Sequence, residues 1–357
     1  MRVLTVKLAD LGDVLTATPA LRALRIARPA DHIAALVPPH SAAVLRGTDL
    51  VDDVITFPKA LFDKPWNAVN LDALRQGMTL LSELRDRRFD AIALFHHFTT
   101  RFGAAKYALL CAAAGAPTRA GLDNGRGIFL THRVKDDGFG AMHEVQYAFA
   151  VAGLLGAQGE PGPLEVPISS EAMDWAAGKL PTEGELIALH PGSGEFSRAR
   201  RWPIAAFTAL ARALQDRGAR VVLVGGPEEV GLTRTVSANL PAPCIDLAGR
   251  TSVSQLAAVL ARCRLLIAND GGVMHLATAV STPVVALFGP SNHRAWGPWT
   301  AGRSYADVLR LELACSPCFY VGDGLGLREG CLARPCLREL SPTLVLAAAQ
   351  RALDCNG

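Results

Sequence analysis

Short apolar runs alternate with segments of helical spacing along this chain, and the alternation occurs twice. In the first half the strand-like runs are Val3 to Val6, Ile33 to Val37 and Ala91 to Phe95. Helical patterns follow them, from about Val14, near Leu71 to Arg87, near Phe102 to Ala114 and near His143 to Leu155. Runs that are apolar along their whole length suit strands buried on both faces, as in a parallel sheet covered by helices. Between Gly156 and Pro167 the chain becomes rich in Gly and Pro, which fits a linker and not an element interior. The pattern then restarts with a strand at Leu186 to Leu189, a helix from Ile204 to Asp216 and a strand at Arg220 to Val224. A helix after Pro227 and another from Val253 to Ala261 precede the run Leu265 to Ser291.

That run, LLIANDGGVMHLATAVSTPVVALFGPS, reads as strand, polar glycine turn, helix and strand without interruption. Such a turn lies at the carboxyl end of a strand, where open α/β sheets bind ligands, and the N–H groups opening the next helix suit a phosphate. Two doubly wound, Rossmann-like α/β domains facing a central cleft are therefore expected. A chain of 357 residues, 50% of them apolar, is long enough for two cores. The expected division is 1–163, 164–339 and a tail of 340–357, whose helix near Pro342 to Leu353 has no obvious place in the second sheet.

Charge and composition narrow the function. A net charge of +3, with no basic block interleaved with aromatics, does not suggest nucleic acid. No apolar run reaches the roughly 18 residues of a spanning helix. Charges within MRVLTVKLADLGDVL interrupt any signal-peptide core, so a soluble cytoplasmic protein is expected. Neither half carries the G-x-G-x-x-G fingerprint, which lowers an oxidoreductase reading.

Three further segments could carry chemistry. Lys7 to Asp13 follows the first strand, so Asp10 and Asp13 sit at a strand-to-helix turn. Helix capping is one role for them. The other is that Asp13 projects a carboxylate that accepts a proton from a substrate hydroxyl. His190 to Pro203 forms a loop with Ser193 and the three charges of Arg198, Arg200 and Arg201, either a phosphate site or a solvated basic loop. Val224 to Glu229 is another glycine turn, where Glu228 or Glu229 could accept from ribose hydroxyls.

Taken together, LADLGDVLTATPALRAL, LHPGSGEFSRARRWP, LVGGPEE, LAGRTSVSQLAAVLARC and the Asp270 turn resemble glycosyltransferase family 9, the bacterial heptosyltransferases of lipopolysaccharide core synthesis, and heptosyltransferase II-like members in particular. The resemblance implies a GT-B fold and an inverting glycosyltransferase with metal-independent catalysis and no catalytic cofactor. It also implies an N-terminal acceptor-binding domain, a C-terminal nucleotide-sugar-binding domain and a final helix crossing back to the N-terminal domain. By position, Asp13 matches the general base. Ser193, Arg200, Glu228, Asp270, Gly271, Gly272 and His275 match donor-binding positions, with Arg200 where relatives commonly have Lys. The expected reaction moves heptose from ADP-heptose to a phosphorylated lipid A-core acceptor, in peripheral contact with the cytoplasmic face of the inner membrane. A family 9 enzyme acting on a protein or another glycan, or a sugar-nucleotide-binding protein without turnover, are the alternatives.

Arg101, Lys106, Arg119 and Arg126 cluster in sequence and are candidates for acceptor binding or for an ordinary solvated surface. His96 and His97 follow a strand and carry no catalytic assignment. Cys315, Cys318, Cys331 and Cys336 have the spacing of a tetrahedral thiolate site, so they suit a structural zinc or iron, or else stay reduced in a loop. Protein-modifying members of the resembled family carry an iron-binding cysteine motif.

Overall fold

The computed structural model describes residues 1–57 and 71–355. The chain divides into two compact units. The first holds Met1–Gly138, Glu144–Gly162 and Gly322–Gly324, and the second holds Phe139–His143, Pro163–Val321 and Leu325–Gly357.

In the first unit the strands are β1 (Arg2–Val6), β2 (His32–Val37), β3 (Asp53–Thr56), β4 (Ala91–Leu94), β5 (Thr118–Asp123) and β6 (His132–Lys135). Its helices are α1 (Leu11–Ala27), α2 (Leu71–Asp86), α3 (Arg101–Ala114) and α4 (Glu144–Gly153). All six strands run parallel in the order β3-β2-β1-β4-β5-β6. One sheet face presents Leu4, Val6, Ile92 and Leu94 to Leu80 and Leu84 of α2 and to Tyr107 and Leu110 of α3. Each fully buried side chain of this kind contributes roughly 1.5–3 kcal/mol. Helix α1 passes through Pro19, which has no N–H to give to the carbonyl four residues back. The Thr18 hydroxyl donates to that Leu15 carbonyl at 2.7 Å, so the helix continues without an orphaned acceptor.

The second unit has β7 (Leu186–His190), β8 (Arg220–Leu223), β9 (Ile245–Asp246), β10 (Leu265–Asn269), β11 (Val284–Leu287) and β12 (Ala306–Leu309). Its helices are α5 (Ser170–Lys179), α6 (Ile204–Gln215), α7 (Val230–Ser237), α8 (Val253–Ala261), α9 (Gly272–Ala279), α10 (His293–Trp296), α11 (Pro335–Arg338) and α12 (Pro342–Asp354). The strand order is β12-β11-β10-β7-β8-β9, again all parallel. Counted from the first strand of each unit, the two sheets have one and the same order. In both, the chain reverses its direction of winding between the first and fourth strands, the place where such sheets open a crevice for ligands. The loops after β1 and β4, and those after β7 and β10, are therefore the ones to examine.

The last helix departs from expectation. Helix α12 packs on the second sheet beside α6, with Val345, Ala348, Ala349 and Ala352 in one core with Phe207, Leu210 and Leu214. The helix belongs to the second unit. Its place exists because β12, which the sequence pattern does not reveal, extends the sheet beyond the reach of α6. Arg351 Nη2 pairs with Asp307 on that strand at 3.0 Å. Strands β3, β5, β6 and β9 and helix α5 are likewise additional to the sequence expectation.

Candidate functional site

In the first unit, β1 ends at Val6 and α1 begins at Leu11, with Asp10 at the N-cap position. Asp10 makes no side-chain cap bond; its carboxylate stands 3.4 Å from His40 Nε2. The capping role is thus not the one this aspartate takes. Asp13 lies in the first turn of α1, and its Oδ1 is 3.9 Å from the Lys7 ammonium. Gly12 is buried there. The backbone N–H of Leu8 donates to His96 Nε2 at 2.7 Å, so the loop after β4 holds the loop after β1 in place.

His97 is also structural, and strongly charged. Its Nδ1 is 2.9 Å from Asp136 Oδ1 and its Nε2 is 2.9 Å from Glu144 Oε1. Burial alone would lower its pKa, but the charge of Glu144 and the bonds to both carboxylates outweigh burial and raise it to about 9. Burial raises Asp136 in turn, yet His97 holds its carboxyl below the usual range. A raised histidine stabilises the fold fully below about 6.5, its ordinary value, and loses that contribution as the pH rises through about 9. Denaturant unfolding is expected to show a loss on the order of 2–3 kcal/mol between pH 6 and 10. His97→Asn should flatten that slope; an unchanged slope would show that the imidazolium is not its source.

In the second unit, Asn269 at the end of β10 clamps the two switch-point loops together. Its Oδ1 accepts from the Trp202 N–H at 2.9 Å, and its Nδ2 donates to the carbonyls of Pro191 at 3.1 Å and Gly192 at 2.9 Å. Asp270 follows, buried, with its carboxylate 3.3 Å from Arg200 Nη1. Arg200 also donates to the Ser193 carbonyl at 2.8 Å. Helix α9 starts at Gly272 with Gly271 at its N-cap. The first N–H groups of a helix lack intrahelical partners, so this end adds a partial positive charge beside the guanidinium. Together they make a site suited to an anion.

The remaining donor-side candidates separate clearly. Ser193 is buried, and its hydroxyl donates to the Ser197 carbonyl at 2.9 Å, so it shapes the loop. Arg201 donates to the Gly194 carbonyl at 3.0 Å, while Arg198 is exposed beside Glu195. His275 is buried on α9; burial first, then the charges of His143 and Arg200, lowers its pKa to about 3 and keeps it neutral. Glu228 is exposed and folds over Gly226.

Glu229, which the sequence offered alongside Glu228 for ribose hydroxyls, is instead a buried hub that joins two loops. Its Oε1 accepts the N–H groups of Ser193 at 2.7 Å and Gly194 at 2.8 Å, and its Oε2 is 2.9 Å from both the Gly226 N–H and His190 Nε2. Burial would raise its pKa, but His190 and these amides hold it far below the carboxylate range. A β-carbon at Gly192 would overlap this carboxylate, which explains the glycine there. The signal was present in Gly226-Pro-Glu-Glu, since an acid three residues after a helix start reaches back to the backbone.

The basic candidates of the first unit do not converge by their contacts. Arg119 Nε donates to the Phe129 carbonyl at 2.7 Å and Arg126 Nη1 to the Phe98 carbonyl at 3.0 Å, so both tie loops down. Arg101 is exposed at the start of α3, and Lys106 Nζ lies 5.1 Å from the Phe102 ring centroid.

The cysteines also disappoint their spacing. Cys315 and Cys331 are exposed, Cys318 is half-buried, and Cys336 on α11 turns into the second core. Cys331 Sγ accepts the Arg334 N–H at 3.2 Å. Among the described residues no group of three or more His, Cys, Asp or Glu is placed to hold a metal ion. Burial, then the neighbouring cysteines, raises the Cys318 and Cys336 pKa values, which favours reduced thiols. The four thiols do lie within electrostatic reach of one another, Cys315, Cys318 and Cys331 all acting on Cys336.

The sequence profile of glycosyltransferase family 9 (heptosyltransferase) matches residues 78–326. The lipopolysaccharide heptosyltransferase 2 of Escherichia coli (strain K12) is 30% identical over 307 residues, 82% of this chain and 84% of that one. Among solved structures, the family 9 glycosyl transferase of Veillonella parvula superimposes with a TM-score of 0.76 at 24% identity, covering 99% of this chain and 97% of the other. The ADP-heptose heptosyltransferase II of E. coli gives 0.74 at 25% identity, covering 99% of each. Two doubly wound α/β domains in this arrangement of strands are the GT-B plan.

Proposed function

The chain belongs to glycosyltransferase family 9, and from that premise we propose that it transfers heptose from ADP-heptose to the lipopolysaccharide inner core. The second unit binds the nucleotide sugar and the first binds the phosphorylated lipid A-core acceptor. Asp13 accepts the proton of the acceptor hydroxyl while that oxygen attacks the anomeric carbon. The bond to the diphosphate breaks on the opposite face, so the configuration inverts and ADP leaves. The observation that carries the donor assignment is Arg200 held between Asp270 and the Ser193 carbonyl beside the start of α9. A fixed guanidinium and a helix end can stabilise the charge growing on the diphosphate, so no metal is needed for that step. Gly271 and Gly272 supply backbone at close approach, Ser193 shapes its loop, His275 sits neutral and buried in α9, and Glu228 meets the ribose.

No helix among the described residues is long and apolar enough to cross a membrane. The enzyme is proposed to meet its lipid acceptor peripherally, on the cytoplasmic face of the inner membrane, with any acceptor contact falling to Arg101 and Lys106 before Arg119 and Arg126.

The test is incubation of the purified protein with ADP-heptose and truncated core acceptors, read by mass spectrometry. One acceptor should gain a heptose with matching ADP release. Absence of transfer to every core acceptor, under conditions where a known family member turns over, would overturn the assignment. A further expectation concerns Arg200. Arg200→Ala should weaken ADP binding about 10- to 100-fold, the worth of a charge-assisted hydrogen bond of roughly 1.5–3 kcal/mol. Arg200→Lys should lose less, because it restores the charge without the planar fork. Wild-type affinity by calorimetry in Arg200→Ala would remove the residue from the donor site.

A further inference from the structure

Five ionisable side chains from five different segments of the first unit stand in a row of alternating sign. Asp13 in α1 meets Lys7 after β1 at 3.9 Å, and the same ammonium meets Glu144 Oε2 in α4 at 3.8 Å. Glu144 Oε1 meets His97 after β4 at 2.9 Å, and the other ring nitrogen of His97 meets Asp136 after β6 at 2.9 Å. Lys7 is 7% exposed, His97 6% and Glu144 3%, whereas Asp13 is 26% exposed. The row therefore runs from a solvent-reached carboxylate into the interior.

Burying this many charges costs free energy that ordinary packing would avoid, since removing an ion from water is repaid only by close opposite partners. Here each interior charge has one. Asp136 is further held by the Asn124 amide at 3.2 Å and the Gly138 N–H at 2.9 Å, and Arg126 lies within electrostatic reach of it. The Tyr147 ring packs edge-on against His97, with its hydroxyl donating to the Gly138 carbonyl and Asp137 nearby. These groups stand around the His97–Asp136 pair.

We propose that Lys7, Glu144 and His97 are positioning residues for Asp13: His97 fixes Glu144, Glu144 anchors the Lys7 ammonium, and Lys7 aims and holds ionised the carboxylate that takes the acceptor proton. The proposal rests on the assignment of Asp13 as general base. Its geometry is specific. One ammonium lies between two carboxylates, and the inner one also has the His97 ring beside it. When Asp13 takes up the acceptor proton, Lys7 keeps the Glu144 carboxylate as a partner, so no buried ammonium is left alone. Asp13, the one member open to solvent, can then return the proton to water.

The test combines steady-state kinetics with pH profiles on Lys7→Met, Lys7→Arg, Glu144→Gln and His97→Asn, with ADP binding and melting curves as controls. In Lys7→Met, kcat should fall about 10- to 100-fold at unchanged KM for ADP-heptose. The acid limb of its kcat profile should move toward neutral pH, since a carboxylate deprived of its cation holds a proton more readily. Lys7→Arg should restore the limb in part. Glu144→Gln and His97→Asn should shift it in the same direction by less, and where Glu144→Gln does not fold, His97→Asn carries the comparison. A folded Lys7→Met with wild-type kcat, or with reduced kcat and an unmoved limb, would overturn the relay. Asp13→Asn separates the two ideas. If it loses turnover while Lys7→Met keeps the wild-type profile, the relay alone fails; if it keeps turnover, the base assignment fails and the relay with it.

Discussion

Asp13→Asn is expected to lower turnover by roughly two to four orders of magnitude while ADP binding stays at wild-type strength. The two side chains are almost the same size, so the packing of the first turn of α1 is kept. Asparagine offers an amide that does not accept the acceptor's proton, and the attacking oxygen remains a poor nucleophile. The proposed nucleotide contacts lie in the second unit, at Arg200, Asp270 and the start of α9, and should be untouched. Single-turnover transfer and ADP calorimetry on one preparation decide the matter. A rate within a few-fold of wild type, with intact ADP binding, would remove Asp13 from the chemistry.

Glu229→Gln is expected to cost about 3–5 kcal/mol and to abolish tight ADP binding with it. The carboxylate takes four partners on two oxygens, three of them backbone N–H groups. An amide keeps one acceptor oxygen and turns a donor toward N–H groups that already donate, so at least one pair is left facing donor to donor. The loops at Ser193 and Gly226 then separate, and the Arg200 carbonyl partner on Ser193 moves with them. Thermal melting and ADP titration should both be affected. A variant with unchanged melting temperature would show that the hub is replaceable.

Much of the architecture was written in the hydrophobic pattern. The central strands β1, β4, β7 and β10 are buried along nearly their whole length, and such strands announce themselves as apolar runs. Strand β6 is His-Arg-Val-Lys, mostly exposed at a sheet edge, and has nothing apolar to announce. The loop positions at the ends of the central strands were legible for the same reason, because finding the strand finds the turn after it. What the apolar pattern left open was which of two neighbours points inward. Glu228 and Glu229 are equivalent as letters, and only the turn at Pro227 sends one to solvent and the other into two loops. The link between His97 and Glu144 joins residues 47 apart, and no local spacing encodes such a contact. Cysteine spacing likewise says nothing about Cys336 facing Leu337 and Leu340 in a core.

The position of α12 has a consequence for the order in which the protein is made. The helix follows every strand it covers, and a ribosome delivers the chain from its N-terminus at a few residues per second. The β10 to β12 side of the second sheet must therefore wait, bare, until residue 354 has left the exit tunnel. All of β1 to β6 and α1 to α4 has emerged well before then, so the first unit has these elements for folding during synthesis. The second unit completes its core only once α12 has been made, and fragments stopping short of Ser341 would present Phe207, Leu210 and Leu214 to solvent as a sticky surface for chaperones and proteases.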